Sequence, residues 1–238
     1  MNVTFTKDLL AHFDSVGGDT KSIAFVIAHP DDESMFFTPL LEVLTTSPDV
    51  ANQQIRLKLL SLTKGGSNGC SPYRSGDYMG QGDKRIAELA KICEKYNIKC
   101  TVDDEPDTQD GPYVWDLEKV SYRIEQFLQE NNVTLVFTFD QYGVSGHPNH
   151  ISAHKAAANV KERYSAVDVW CLKTYGIITK YFPPLAILRS VFRRPSVVRF
   201  SPFDVDSNME IYHTQKRWYT KLWAFCASYS YVNSFELL

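Results

Sequence analysis

Residues 23–33 read Ile23-Ala24-Phe25-Val26-Ile27-Ala28-His29-Pro30-Asp31-Asp32-Glu33, an apolar run that empties into one imidazole and three carboxylates. The run predicts a buried strand. From 34 to 44 the apolar residues fall at helical spacing instead, so the polar turn joins a strand to a helix. Open α/β sheets hold their ligands at such turns, outside the carboxyl ends of the strands.

The same alternation recurs outward from this turn. Further strands are predicted over 55–62, 98–102, 133–139 and 167–172, and helices over 82–96, 117–130 and 149–164. Asp116 is placed to cap the second of these helices. Strands alternating with helices predict an α/β fold, a Rossmann-like, mostly parallel sheet with helices on both faces. Residues 64–82 are too rich in glycine for regular structure and form a loop at a strand's carboxyl end, where it can line a site.

With 238 residues and 44% hydrophobic content, the chain suffices for a single domain over 1–238. Residues 1–21 serve as a lead-in and 174–238 as a C-terminal apolar and basic extension. Within it, 175–200 interleaves Ile177, Ile178, Tyr181 and Phe182 with Lys180, Arg189, Arg193 and Arg194. That composition suits contact with an anionic bilayer surface; the plainer alternative is extra core packing with a solvated basic rim. The aromatic stretch 218–235 is read as core. A net charge of −3 argues against a nucleic-acid partner. Five cysteines with no CxxC pair suit a reducing compartment better than a disulfide framework. No run is apolar enough to span a membrane, and no signal-peptide core is present.

A second polar cluster, Gly146-His147-Pro148-Asn149-His150, follows the predicted strand 133–139. His29, Asp32 and His150 would supply the N, O, N ligands of a divalent-metal site with one position open. Adjacent carboxylates cannot serve one cation equally, so Asp32 is assigned to the metal and Asp31 to the proton of the attacking water. His147 would stand opposite as acid and oxyanion donor. Taken alone, each cluster has a plainer reading: Asp-Asp-Glu before a helix often only caps it, and His154, one turn after His150, suits a helix face better than a ligand.

AHPDDE with a later GVSGHPNH resembles the PIG-L/LmbE-like metal-dependent de-N-acetylases, most closely their eukaryotic branch. The likeness extends through Leu62-Thr63-Lys64-Gly65, Gln81-Gly82-Asp83-Lys84-Arg85 with Glu88, Thr138-Phe139-Asp140, and Tyr231-Val232-Asn233-Ser234. It implies an LmbE-like fold and the same roles for His29, Asp32, His150, Asp31 and His147. It also implies removal of acetyl from N-acetylglucosaminyl-phosphatidylinositol, the second step of GPI-anchor synthesis, at the cytoplasmic face of the endoplasmic reticulum membrane. Zn2+ is the expected cofactor, although this donor set also accepts Fe2+, Co2+ or Mn2+. Asn149 stands where many bacterial relatives have Asp, which leaves the imidazole of His147 without that carboxylate; Asp140 is the substitute the sequence offers. Lys64, Asn68, Arg74 and Arg85 are expected near the sugar or inositol phosphate, with an Arg85–Glu88 ion pair as the plainer role for Arg85. Two other functions fit the same motifs: a deacetylase of a soluble N-acetylglucosaminide, and a catalytically silent assembly subunit.

Overall fold

A computed structural model describes residues 22–48, 51, 55–65, 80–192 and 195–238. Asn68 and Arg74 lie outside the described residues.

The opening run forms β1 (Ser22–Ile27), every residue of it buried. Parallel strands β2 (Arg56–Ser61), β3 (Lys99–Val102), β4 (Val133–Phe139) and β5 (Asp168–Leu172) join it in the order β3-β2-β1-β4-β5. The chain first winds away from β1 on one side and then returns past it to β4, so the order reverses between β1 and β4. That reversal opens a crevice at the strands' carboxyl ends. The β1–β4 ladder ends at Phe25 and Phe137, beyond which the Thr138 hydroxyl donates to the Val26 carbonyl at 2.8 Å.

The crossover helices are α1 (Asp32–Phe36), α2 (Thr38–Thr46), α3 (Gly82–Lys95), α4 (Leu117–Glu130) and α6 (Pro148–Arg163), with a single turn α5 (Gly143–Gly146) before the last. Right-handed crossovers place α2 and α3 on one face of such a sheet and α4 and α6 on the other, and α4 packs on α6 accordingly. Asp116 caps α4 by accepting from the backbone N–H groups of Glu118 and Lys119.

The helix expected over 34–44 is broken at Phe37. In an unbroken helix the Leu40 N–H would donate to the Phe36 carbonyl. Instead Asn233 Oδ1 accepts from Leu40 N–H at 3.1 Å, and its amide donates to the Phe36 carbonyl at 2.8 Å. A side chain set into the helical ladder in this way bends it.

Asn233 belongs to the part of the chain expected to be an extension. Residues 174–238 contain α7 (Ile177–Tyr181), α8 (Pro183–Phe192), β6 (Ser196–Val198), α9 (Pro202–Ile211), α10 (Trp218–Cys226) and β7 (Val232–Leu237). β7 pairs antiparallel with β5, and β6 with β7, which completes a seven-stranded mixed sheet. This portion therefore belongs to the sheet itself, and Phe235 of β7 packs 5.0 Å from Phe137 of β4.

The cysteine pattern suits a reducing compartment better than a disulfide framework, and one pair departs from that expectation. Cys93, near the end of α3, and Cys100 in β3 form a disulfide, because the tight reversal between helix and strand brings their Cα atoms to 6.1 Å. Cys171 and Cys226 are free thiols.

Candidate metal and active site

The turn after β1 is fixed before any ligand arrives. Asp32 Oδ2 accepts from the backbone N–H groups of Ala28 and His29, at 3.1 and 2.8 Å, which leaves Oδ1 to face the crevice. Asp31 sits at φ +115, a left-handed conformation that costs a non-glycine residue about 1–3 kcal/mol. Its backbone N–H donates to Glu33 Oε2 at 3.1 Å. Glu33 is fully buried, and its other oxygen accepts from Ser34 and from Tyr212 just past α9. Burial raises the Glu33 pKa, and those donors work against the rise.

From β4 comes the second half. His150 lies in the first turn of α6 with its ring stacked 4.1 Å from Phe139. Its Nδ1 donates to the Gly143 carbonyl at 3.0 Å, so Nε2 is left with a lone pair, and that nitrogen is 3.2 Å from Asp32 Oδ1. His29 is held in the complementary tautomer by Asn149. The Asn149 amide donates to the Tyr113 carbonyl, and its Oδ1 accepts from Gly111 N–H, which turns that oxygen toward His29 Nε2 at 3.1 Å. His29 therefore donates from Nε2 and presents a bare Nδ1 towards Asp32, 3.6 Å away.

Three buried residues, His29, Asp32 and His150, thus converge with ligand atoms within 4.8 Å of one another. Two imidazoles and one carboxylate, each oriented by a partner behind it, fit a divalent cation. Against the effect of burial, Asp110 and Asp32 raise the His29 pKa well above its ordinary value, so a cation would compete with a proton for that ring. His154 is not among them: it donates to the Phe139 carbonyl at 3.0 Å and lies beside Cys171.

Asp31 and His147 flank this cluster. Burial raises the Asp31 carboxyl to about 8 against the pull of Arg85, whose Nη2 is 3.3 Å from Oδ1. His147 caps α6, its Nδ1 accepting from Asn149 N–H at 3.2 Å, so the neutral ring carries its proton on Nε2. Burial, together with His29 and His150, lowers its pKa to about 4.

Several expectations need correction. The Asn149 side chain, which by its place beside His147 could only have hydrogen-bonded to that ring, serves His29 instead. Asp140 is not the substitute carboxylate: both its oxygens are taken by Thr174, and Tyr142 N–H donates to it as well, so it ties the β4 and β5 ends together. Arg85 does not pair with Glu88. It is buried across the crevice floor, where it donates to the carbonyls of Pro30 and Gly65 at 2.7 Å each and pairs with Asp31 and Asp110. Glu88 instead accepts from Thr214. Lys64, a substrate candidate, is paired with Asp104 at 2.8 Å.

Asp110 is the site residue that sequence reasoning missed. Its Oδ1 lies 3.1 Å from His29 Nε2 and 4.0 Å from His147 Nε2, and Oδ2 lies 3.3 Å from Arg85. Despite burial, these three positive or polar neighbours hold its carboxyl well below the ordinary range. With His29 and His147 it makes a second group of metal-ligating residue types, sharing His29 with the first.

Residues 24–161 match the protein family described as PIG-L: GlcNAc-PI de-N-acetylase. The chain is 36% identical over 166 residues to a probable N-acetylglucosaminyl-phosphatidylinositol de-N-acetylase of Schizosaccharomyces pombe, an overlap of 68% of this chain and 60% of that protein. It is 26% identical over 233 residues to the N-acetylglucosaminyl-phosphatidylinositol de-N-acetylase of Bos taurus, covering 93% of this chain and 85% of the relative. Among solved structures, the zinc-inhibited form of a teicoplanin deacetylase superposes with a TM-score of 0.62 at 13% identity, covering 91% of this chain and 98% of the other. At that identity the likeness is one of fold.

Proposed function

The chain belongs to the PIG-L family of GlcNAc-PI de-N-acetylases, and on that premise we propose that it hydrolyses the acetamide of N-acetylglucosaminyl-phosphatidylinositol. The products are glucosaminyl-phosphatidylinositol and acetate, the deacetylation step of GPI-anchor biosynthesis. The observation that carries this reading is the convergence of His29, Asp32 and His150 from two strand ends, with Asp31 and His147 on either side. The substrate follows from the yeast and bovine relatives named above.

Zn2+ is the cation proposed for the three ligands, which leave a coordination position free for reaction. Such a cation, when bound, polarises the amide carbonyl and makes water a stronger acid, with a pKa near ~7. Every other step belongs to side chains of this protein. Arg85 holds Asp31 by Oδ1, and a cation on the neighbouring ligands would add its positive charge to that pull and favour the ionised carboxylate, which leaves Oδ2 to take the proton of the attacking water. His147 Nε2–H donates to the amide oxygen as that atom gains negative charge. The proton held on Asp31 then passes to the sugar nitrogen as the C–N bond breaks, releasing amine and acetate. Asp110, beside both His29 and His147, keeps the two rings turned into the crevice. Among the described residues no helix is long and apolar enough to cross a membrane. On this reading the reaction takes place at the cytoplasmic face of the endoplasmic reticulum membrane, reached peripherally or through a segment outside this chain.

Metal analysis and acetate release from the lipid substrate test it. His150→Ala should lose both metal and activity. His147→Ala should keep its metal while turnover falls roughly 10²–10³-fold, the cost of one oxyanion donor. Full metal occupancy in His150→Ala would refute the ligand assignment.

A further inference from the structure

The surface next to the crevice is more apolar than a protein surface of this charge should be. Trp218 and Phe192 are 83% and 82% exposed, and Ile177, Ile178, Phe200 and Phe203 are all exposed as well. These residues lie on α7, α8, α10 and the corner where the β6–α9 connection enters α9, and ring contacts join three of those segments into one patch. Tyr181 of α7 meets Trp223 of α10 at 6.0 Å; Phe225 of α10 meets Phe203 at 5.2 Å; Phe203 meets Phe200 at 6.1 Å. α8 packs against α7 beside them. A contiguous exposed apolar area of this kind marks an interaction surface.

Charge is segregated onto the same segments. From 173 to 238 the sequence carries nine Lys and Arg (Lys173, Lys180, Arg189, Arg193, Arg194, Arg199, Lys216, Arg217 and Lys221) against four acids, Asp204, Asp206, Glu210 and Glu236. Lys173, Arg199, Lys216 and Lys221 pair with Glu236, Glu42, Glu210 and Asp206, so the excess of cations, not every cation, is what the face offers; Arg193 and Arg194 lie outside the described residues. The whole chain is nevertheless net negative, at −3. The patch also reaches the catalytic crevice: the Phe36 ring is 5.8 Å from both Trp223 and His150, and Lys180 Nζ donates to the Val144 carbonyl in α5 at 2.6 Å.

We propose that this face, built from α7, α8, α10 and the Phe200–Phe203 corner, docks on an anionic bilayer surface and sets the crevice at the height of a lipid headgroup. Exposed aromatic and aliphatic side chains flanked by cations are what such an interface takes: the apolar groups enter the acyl boundary and the cations meet the lipid phosphates. A second copy of this chain fits the face poorly, because a two-fold contact would set the same cations against each other. The proposal rests on the lipid-deacetylase reading for its purpose but not for its test.

The test uses the full chain and the variant Ile178→Ser/Phe192→Ser/Trp218→Ser, all three residues being exposed, with vesicles of phosphatidylcholine alone or with phosphatidylinositol. The wild type should co-sediment with the anionic vesicles and be released by salt. The variant should bind on the order of a hundredfold more weakly, yet deacetylate lipid-free N-acetylglucosaminyl-inositol phosphate within about twofold of wild type, which also shows that it is folded. Lys221→Glu should weaken binding to anionic vesicles about fivefold and leave binding to neutral ones unchanged. Equal vesicle binding by wild type and triple variant would overturn the proposal. So would a wild type that binds no vesicle, whether it self-associates through this face or binds microsomes only while their proteins are intact. Vesicle binding without any deacetylation would instead leave the docking face standing and remove the enzymatic reading.

Discussion

At the scale of single residues, the tautomers of two histidines are decided by carbonyl and amide groups that never meet a ligand. Gly143 O fixes His150, and the Asn149 amide, itself oriented by Tyr113 O and Gly111 N–H, fixes His29. Partners behind metal ligands typically contribute 10–100-fold to affinity or activity, and Asp110 is placed to contribute at that level. Asp110→Asn keeps the size of the side chain but removes the charge facing His29, His147 and Arg85. Turnover is expected to fall about 10–100-fold with acetate release measured at saturating metal, while the fold, read by circular dichroism, stays intact. Activity within twofold of wild type would make Asp110 a bystander. The residue was illegible in the sequence for a physical reason. It closes the acidic stretch Asp103, Asp104, Glu105, Asp107, Asp110, in which any member reads as a solvated loop charge; only the fold, which sets it against His29 and Arg85, singles it out. His29, Asp32 and His150 were legible because a cluster of ligand types directly after an apolar run has few uses other than a site.

At the scale of elements, the parallel half of the sheet was written in the sequence and the antiparallel edge was not. β1 and β4 are continuous apolar runs buried on both faces, so composition alone marks them. β6 and β7 are short, and β7 passes β6 to pair with β5; nothing local encodes that pairing. The bend at Phe37 is half written in the sequence: Pro39, in the first turn of α2, has no N–H to continue α1, whereas Asn233, which takes up the groups the break leaves open, lies nearly two hundred positions away. Asn233→Ala would leave the buried Leu40 N–H and Phe36 C=O without partners. Each such group costs about 1–3 kcal/mol, so a loss of about 2–4 kcal/mol and a Tm lower by roughly 5–15 °C are expected for a chain of this size. Differential scanning calorimetry measures it. An unchanged Tm would mean that the Leu40 N–H and Phe36 C=O find other partners once the amide is gone.

At the scale of the molecule, the chain converges on the β1 turn from both directions in sequence. α6 brings His147 and His150 from one side of the sheet order, while Tyr212 after α9 and Asn233 of β7 hold Glu33 and the Phe36–Leu40 bend from the C-terminal portion. A cation bound by His29, Asp32 and His150 would therefore tie the ends of β1 and β4, the two strands between which the sheet order reverses. In the unfolded chain the first two ligands and the third are more than a hundred residues apart, so the cation binds the folded state almost alone. Mass action then makes stability depend on metal concentration, by about 2.7 kcal/mol at one hundred times the dissociation constant, which corresponds to a Tm increase of roughly 5–10 °C. Titrating Zn2+ into chelator-treated protein during thermal melts should show that increase, and His150→Ala should abolish it. His147→Ala should preserve it, because that ring faces the crevice without completing the ligand set. A Tm indifferent to metal in the wild type would separate the three residues from any resident cation, however closely they approach one another.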